Sequence, residues 1–295
     1  MLVMTIKILQ GNCINKLKTI ADKTFHTCVT SPPYWGLRDY GENDQLGLEE
    51  TPQEYVINLV EVFREVRRVL RDDGTIWLNL GDTYANNGCD NTKVGGFTGD
   101  RIKKNKKGIM DSRRRKIPNN LKPKDLIGIP WRVAFALQED GWYLRQDIIW
   151  HKPNPMPESV KDRCTKSHEY IFLFSKSKNY YFDNESIKEK SIDSDNGKIY
   201  ECKNKRSVWT VTTKPYKESH FATYPSDLIE PCILSGSPEG GHVLDPFGGA
   251  GTTGLVADRL GRNATLIELN KSYVDIINNR LKADNSLFMD IVNDN

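Results

Sequence analysis

No run of about 18 consecutive apolar residues occurs in the chain, so no transmembrane helix is expected. The six cysteines are Cys13, Cys28, Cys89, Cys164, Cys202 and Cys232, and none forms a C-x-x-C pair. No ligand-spaced histidine cluster joins them, so no metal site is expected. Reduced thiols in a cytoplasmic protein are the reading that remains. The first ten residues are apolar but short and contain Lys7. They suit a first strand rather than a signal peptide. No internal repeat is evident. A strong excess of one charge is also missing: 42 Lys and Arg face 39 Asp and Glu, for a net charge of +3. That balance permits nucleic-acid binding without demonstrating it, so the distribution of charge matters more.

What is present suits a soluble α/β protein. The chain has 295 residues, 38% hydrophobic and 27% charged. That accommodates one large domain with an appended segment, or two small ones. Strands are expected at 5–9, 26–30, 75–80, 143–150, 170–175, 242–244 and 263–268. A helix is expected over 51–70, where Tyr55, Leu59, Val62, Phe63, Val66, Val69 and Leu70 share one face. Further helices are expected at 129–137, 225–234 and 255–260. A doubly wound sheet follows from this order. The Pro-rich 152–157 cannot be regular structure. Between Arg101 and Lys124 there are 11 basic residues and one acidic, Asp111. Such a segment reads as a basic surface insertion.

Two loops carry candidate chemistry. Asp245, Pro246, Phe247, Gly248, Gly249, Ala250, Gly251, Thr252, Thr253 and Gly254 follow a strand and open a helix. Such a turn lets a ligand approach the backbone and aims helix N–H groups at its negative end. Gly249, Gly251 and Gly254 formally match a dinucleotide fingerprint, but the Asp-Pro-Phe opening argues otherwise. Glu268 closes the next strand at about the 20-residue spacing of a ribose-binding carboxylate. The other loop, Ser31-Pro32-Pro33-Tyr34-Trp35, follows the strand at 26–30. Cys232 sits within an expected helix and reads as a structural thiol.

Taken together, these loops resemble the cofactor and catalytic loops of the S-adenosylmethionine-dependent amino-methyltransferases of DNA. The catalytic loop comes first here, as in the permuted beta group of that family. Gly11-Asn12-Cys13, the stretch from Trp77 to Asp82, and Ile149-Trp150-His151-Lys152-Pro153 extend the resemblance over most of the chain.

The resemblance implies a circularly permuted class I methyltransferase fold, a Rossmann-like mixed, mostly parallel sheet with helices on both faces. Residues 1–83 would be the catalytic half and 218–295 the cofactor-binding half, with 125–175 continuing the core. Residues 84–124 would form the basic insertion and 176–217 a target-recognition segment. Asp245 would face the ammonium or sulfonium of S-adenosylmethionine, and Thr252 and Thr253 would meet its carboxylate. His220 and Phe221 match the family segment beside the cofactor. Lys103, Lys104, Arg113, Arg114 and Arg115 are the expected contacts to double-stranded DNA. The resemblance is compatible with a companion restriction endonuclease and with a dimer.

The catalytic loop has a physical rationale. The amine of cytosine or adenine is a poor nucleophile because its lone pair is delocalised into the ring. Ser31 Oγ and the Pro32 carbonyl can each accept one amine N–H, which drives the nitrogen toward sp³ geometry. Prolines, Pro33 included, hold that acceptor rigid. Tyr34 offers a ring on which a flipped base can stack. Family members with Ser at the head of this loop mostly methylate N4 of cytosine, and those with Asp mostly N6 of adenine. Ser31 therefore favours cytosine, with adenine as the alternative. Methylation of RNA or of a protein amide, and a non-catalytic nucleic-acid-binding module, are the more distant readings.

Overall fold

The protein was described from a computed structural model that covers residues 3–37, 39–42, 44–85, 121–191, 194–195, 198–199, 201–214, 224–284 and 289–294. In chain order its elements are β1 (Met4–Gln10), α1 (Cys13–Leu17), β2 (Phe25–Thr30), α2 (Pro52–Val69), β3 (Leu70–Leu80), α3 (Ile129–Glu139), β4 (Tyr143–His151) and β5 (His168–Ser175). Four two-residue strands follow: β6 (Glu189–Lys190), β7 (Ser194–Asp195), β8 (Lys198–Ile199) and β9 (Cys202–Lys203). The rest are β10 (Val208–Thr210), α4 (Ser226–Gly236), β11 (His242–Asp245), α5 (Thr252–Arg259), β12 (Asn263–Glu268), α6 (Lys271–Ala283) and β13 (Met289–Asp294).

Among the described residues, one nine-stranded sheet has the order β10-β4-β5-β3-β2-β11-β12-β1-β13. Within it only β5 runs against its neighbours, pairing antiparallel with β3 and β4. The other ladders in the sheet are parallel. The N-terminal strand β1 therefore lies between two C-terminal strands, β12 and β13. Both ends of the chain build one sheet.

Strands buried on both faces alternate their side chains between two cores. Ile76, Leu78 and Leu80 pack with α1, α2 and α3 on one face. Trp77, Val29, Val243 and Leu266 pack with α4, α5 and α6 on the other. Helix α2 obeys its sequence spacing. A reciprocal capping box joins Thr51 and Glu54, Pro52 occupies the first turn, and Tyr55, Leu59, Val62, Phe63, Val66 and Val69 are buried. The helix passes into β3 at Leu70 without an intervening loop, five residues before the expected strand start at 75. Helix α6 and strand β13 extend the fold past the last expected strand.

At the sheet end opposite the strand C-termini, two histidines meet. The His242 backbone N–H donates to His26 Nδ1 at 3.0 Å, and His242 Nε2 bonds Thr265 Oγ1 at 2.9 Å. Burial lowers both imidazoles, and holds His242 at about 4. The unfolded chain then binds protons that the folded protein refuses, so stability is lost as pH falls from about 6.5 toward 4. Between pH 7 and pH 5 the urea midpoint should change less favourably in the parent protein than in His242→Gln, where this contribution is absent. Equal changes in both proteins would contradict this account.

Candidate active site

Strands β2 and β11 are neighbours, yet their following connections turn to opposite faces of the sheet. The loop after β2 leads to α2 on one face, whereas the turn after β11 leads to α5 on the other. This is the switch point at which open α/β sheets bind ligands. The two loops singled out in the sequence meet there, across a single side chain. Asp245, at the end of β11, is 1% exposed. Its Oδ1 accepts the Thr30 hydroxyl at 2.6 Å and the Phe247 N–H at 3.1 Å. Its Oδ2 accepts the Tyr224 hydroxyl at 2.9 Å and the Thr253 hydroxyl at 2.5 Å. Burial pushes the Asp245 carboxyl up, and these hydrogen bonds pull it back. Thr30 ends the strand that delivers the Ser31 loop. Asp245 thus ties both loops together and spends its oxygens on the protein.

The glycine turn has a separate brace. Gly249 has φ +51, and a Cβ there would meet nothing nearer than the Phe247 carbonyl at 3.8 Å. It is the open point of the turn. Gly251, at φ +77, and Gly254 lie against Ile277 and Leu266, where a Cβ would come within 2.9 Å. These two serve close packing. Glu268, at the end of β12, accepts the Gly249 N–H at 2.8 Å and the Asn270 N–H at 2.9 Å. Burial raises its carboxyl to about 7, and the charge of Asp245 adds to the rise. From α6, Arg280 donates to the Ala250 carbonyl and to Thr252 Oγ1, both at 2.9 Å. Pro246 is buried, and Phe247 packs against the first core. The site therefore offers an open backbone turn flanked by two carboxylates that are short of positive charge.

The loop after β2 is pinned on several sides. Tyr55 of α2, fully buried, donates its hydroxyl to the Pro33 carbonyl at 2.8 Å. The Trp35 indole N–H donates to the Glu49 carbonyl at 3.0 Å, and the Gly36 N–H to the Gly47 carbonyl at 2.8 Å. The Tyr34 ring lies on Gly81, where an added Cβ would come within 2.5 Å of the ring. The Tyr34 hydroxyl donates to Glu169 Oε2 at 2.8 Å and stands 3.3 Å from Asn79 Oδ1. Glu169 also accepts from Asn79 Nδ2 at 3.2 Å and pairs with Lys152. Asp82, just beyond β3, accepts the N–H groups of Gly128 and Ile129 at 3.0 Å and so caps α3.

The structure brings Ser31, Pro32, Pro33 and Tyr34 to one side of Asp245. It brings Pro246, Phe247, Gly248, Gly249, Gly251, Thr252, Thr253 and Glu268 to the other. The Thr252 and Thr253 hydroxyls, expected at a ligand carboxylate, bond Arg280 and Asp245. His220, Phe221, Lys103, Lys104, Arg113, Arg114 and Arg115 lie outside the described residues. Tyr224, a few residues after His220, does reach the site through Asp245. Sequence reasoning missed Glu169, Asn79 and Arg280, included Tyr224 in the segment beside the cofactor without a role of its own, and treated Tyr55 as apolar core. Asn79 and Lys152 lay within stretches of family resemblance, but nothing in their spacing showed that they meet. Cys232 is buried in α4 and bonds the Leu228 carbonyl.

The DNA methylase family profile matches residues 25–279. The Type II methyltransferase M.SmaI of Serratia marcescens is 52% identical over 93% of this chain and 90% of its own length. M.Cfr9I of Citrobacter freundii is 49% identical, covering 95% and 88%. Among solved structures, the cytosine-N4-specific PvuII DNA methyltransferase superposes with a TM-score of 0.65 at 17% identity, covering 99% of this chain and 96% of that one. A putative DNA modification methylase from Thermus thermophilus, solved with S-adenosyl-L-methionine, gives 0.64 at 22% identity, covering 97% and 99%. These structures share the fold. With the profile spanning most of the chain and relatives near half-identical along almost its whole length, the protein belongs to the DNA methylase family.

Proposed function

We propose that the protein transfers a methyl group from S-adenosylmethionine to the exocyclic N4 of cytosine in double-stranded DNA. The carrying observation is the hydrogen bond of 2.6 Å between Thr30 and Asp245, which sets the Ser31 loop beside the glycine turn. The chemistry of this turn fits the donor. A cationic ligand suits two carboxylates raised by burial, and the open Gly249 permits close approach. Glu268 would accept from ribose hydroxyls. When bound, the sulfonium supplies an electrophilic methyl group.

The protein's own groups then act on the base. Flipping brings the amine out of the stack. Ser31 Oγ and the Pro32 carbonyl accept its two N–H groups and aim the lone pair. Tyr55 occupies the Pro33 carbonyl, which fixes the loop that presents Pro32. The bound donor would supply the methyl group and leave as its neutral thioether, and the surplus amine proton would pass to solvent. Ser31, a neutral acceptor where adenine-modifying relatives mostly carry Asp, favours cytosine. The basic insertion at 84–124 would contact phosphates, and 176–217 would read the target. A paired restriction endonuclease accords with the Type II relatives.

Two outcomes test this reading. DNA incubated with the protein and S-adenosylmethionine, digested to nucleosides and analysed by mass spectrometry, should contain N4-methylcytosine. N6-methyladenine as the sole product would reassign the base, and no methylated nucleoside would end the reading. Cofactor affinity should also depend on Glu268. Its carboxyl is raised to about 7 in the free protein, and the ligand needs its ionised form as an acceptor. Below that pH the apparent Kd should climb toward tenfold per pH unit, with proton release on binding. Glu268→Gln should flatten the profile. Calorimetry giving the same affinity at pH 6 and pH 8 in the parent protein would contradict this role.

A further inference from the structure

A base cannot swing out of a duplex without leaving a gap in the stack. Its neighbours lose their contacts, and an apolar side chain that enters the gap offsets part of that loss. Met156 is 86% exposed, and Val208, next among the large apolar side chains of the described residues, reaches 60%. A lone exposed apolar residue needs no explanation by itself, but the mounting of this one sets it apart. We infer that Met156 enters the base stack of DNA when the target base swings out, and keeps the gap from closing. This inference rests on the methyltransferase reading above and assigns a part to a connection outside the two loops.

The arm that carries Met156 is braced. Residues 152–157 read Lys-Pro-Asn-Pro-Met-Pro, so prolines stand on both sides of Met156 and restrict the backbone there. At the root, the Lys152 N–H donates to the Ser167 carbonyl at 2.8 Å. Asn154 forms a reciprocal pair with Thr213. Its Nδ2 donates to the Thr213 carbonyl at 3.2 Å, and its Oδ1 accepts the Thr213 N–H at 3.0 Å. Only Pro155 separates this anchor from Met156. The side chain is held out by a fixed backbone, which lowers the ordering cost of inserting it.

Position and charge name the partner. The arm leaves the C-terminal end of β4, which runs in the same direction as β2 and β11 and so ends where the Ser31 loop and the glycine turn begin. Lys152, at its root, pairs with Glu169, which accepts the Tyr34 hydroxyl at 2.8 Å. Four residues on, the Met156 Cα lies at most about 14 Å from that of Lys152, a reach comparable with the roughly 12 Å width of a major groove. Between β4 and β5, Lys152, Lys161, Arg163 and Lys166 outnumber Glu158 and Asp162. Asp162 pairs with Lys124 at 2.7 Å, and the Arg163 guanidinium lies 4.0 Å from the centroid of the Tyr84 ring. Tyr84 and Lys124 bracket the basic sequence, with its 11 cations and one acidic residue from Arg101 to Lys124. A polyanion drawn to that sequence arrives beside Met156. An unbranched, polarisable thioether also packs well against aromatic faces.

The test uses a duplex bearing the site located by sequencing the methylated DNA. A fluorescent base at the target position, pyrrolocytosine for cytosine or 2-aminopurine for adenine, brightens as it leaves the stack. Met156→Ala should lower that emission and slow single-turnover methylation of the natural duplex by about tenfold, as expected for losing part of a buried side chain. Met156→Leu, of similar volume, should stay near the parent protein. Affinity for a duplex without the site should be unchanged in both variants, because no base is extruded there. S-adenosylmethionine affinity should also be unchanged, which monitors folding. Parental emission and rate in Met156→Ala would overturn the inference. So would equal weakening on duplexes with and without the site, which would make Met156 a plain surface contact. A change in oligomeric state by sedimentation would overturn it too, and would place Met156 between copies of the chain. With methylation by the parent protein intact, each of these ends this inference alone. A parent that methylates no DNA overturns the functional reading as well.

Discussion

A single buried carboxylate holds the candidate site together. Asp245 closes β11 and receives hydrogen bonds from Thr30, Phe247, Tyr224 and Thr253. Those four groups come from β2, the glycine turn, the segment before α4 and the start of α5. A carboxylate so deeply buried is costly unless its lone pairs are met. Here each oxygen has two donors. Losing any one donor would leave the others facing an under-satisfied charge, so the four elements are constrained jointly. Electrophile and nucleophile would then be registered against each other by strand pairing and one side chain, not by flexible loops.

The surrounding charges follow the same logic. Asp245 and Glu268 both titrate upward in the free protein, because burial is not matched by cations. A cationic ligand relieves both. Across the sheet, Glu169 has the opposite setting. Lys152 neutralises it, and its work is to orient a phenol and an amide. The site thus holds unpaired carboxylates where a cation would bind and a paired one where a neutral base would enter.

Much of the scaffold was legible in the sequence because its signals are local. The face of α2 ran from Tyr55 to Val69 at helical spacing. The glycine turn and the Ser-Pro-Pro-Tyr loop announced themselves as strand-to-helix and strand-to-loop junctions. What stayed hidden depends on partners far along the chain. Glu169 reaches Tyr34 only because β5 inserts antiparallel beside β3. Arg280 reaches Thr252 because α6 packs across the turn. The strand expected from 75 begins earlier, since β3 already pairs with β2 at Leu70. The role of Tyr55 was masked because a tyrosine on an apolar stripe reads as core until its hydroxyl finds a carbonyl.

Asp245 ties β2 to the glycine turn, and Thr30→Val probes that coupling most directly. The substitution removes one donor to Asp245 at nearly constant volume. The measurement is S-adenosylmethionine affinity by calorimetry together with single-turnover methylation. Coupling through Asp245 predicts that both fall, affinity by about tenfold or more for a lost hydrogen bond to a buried charge. Cofactor affinity equal to that of the parent protein, with only turnover changed, would contradict it.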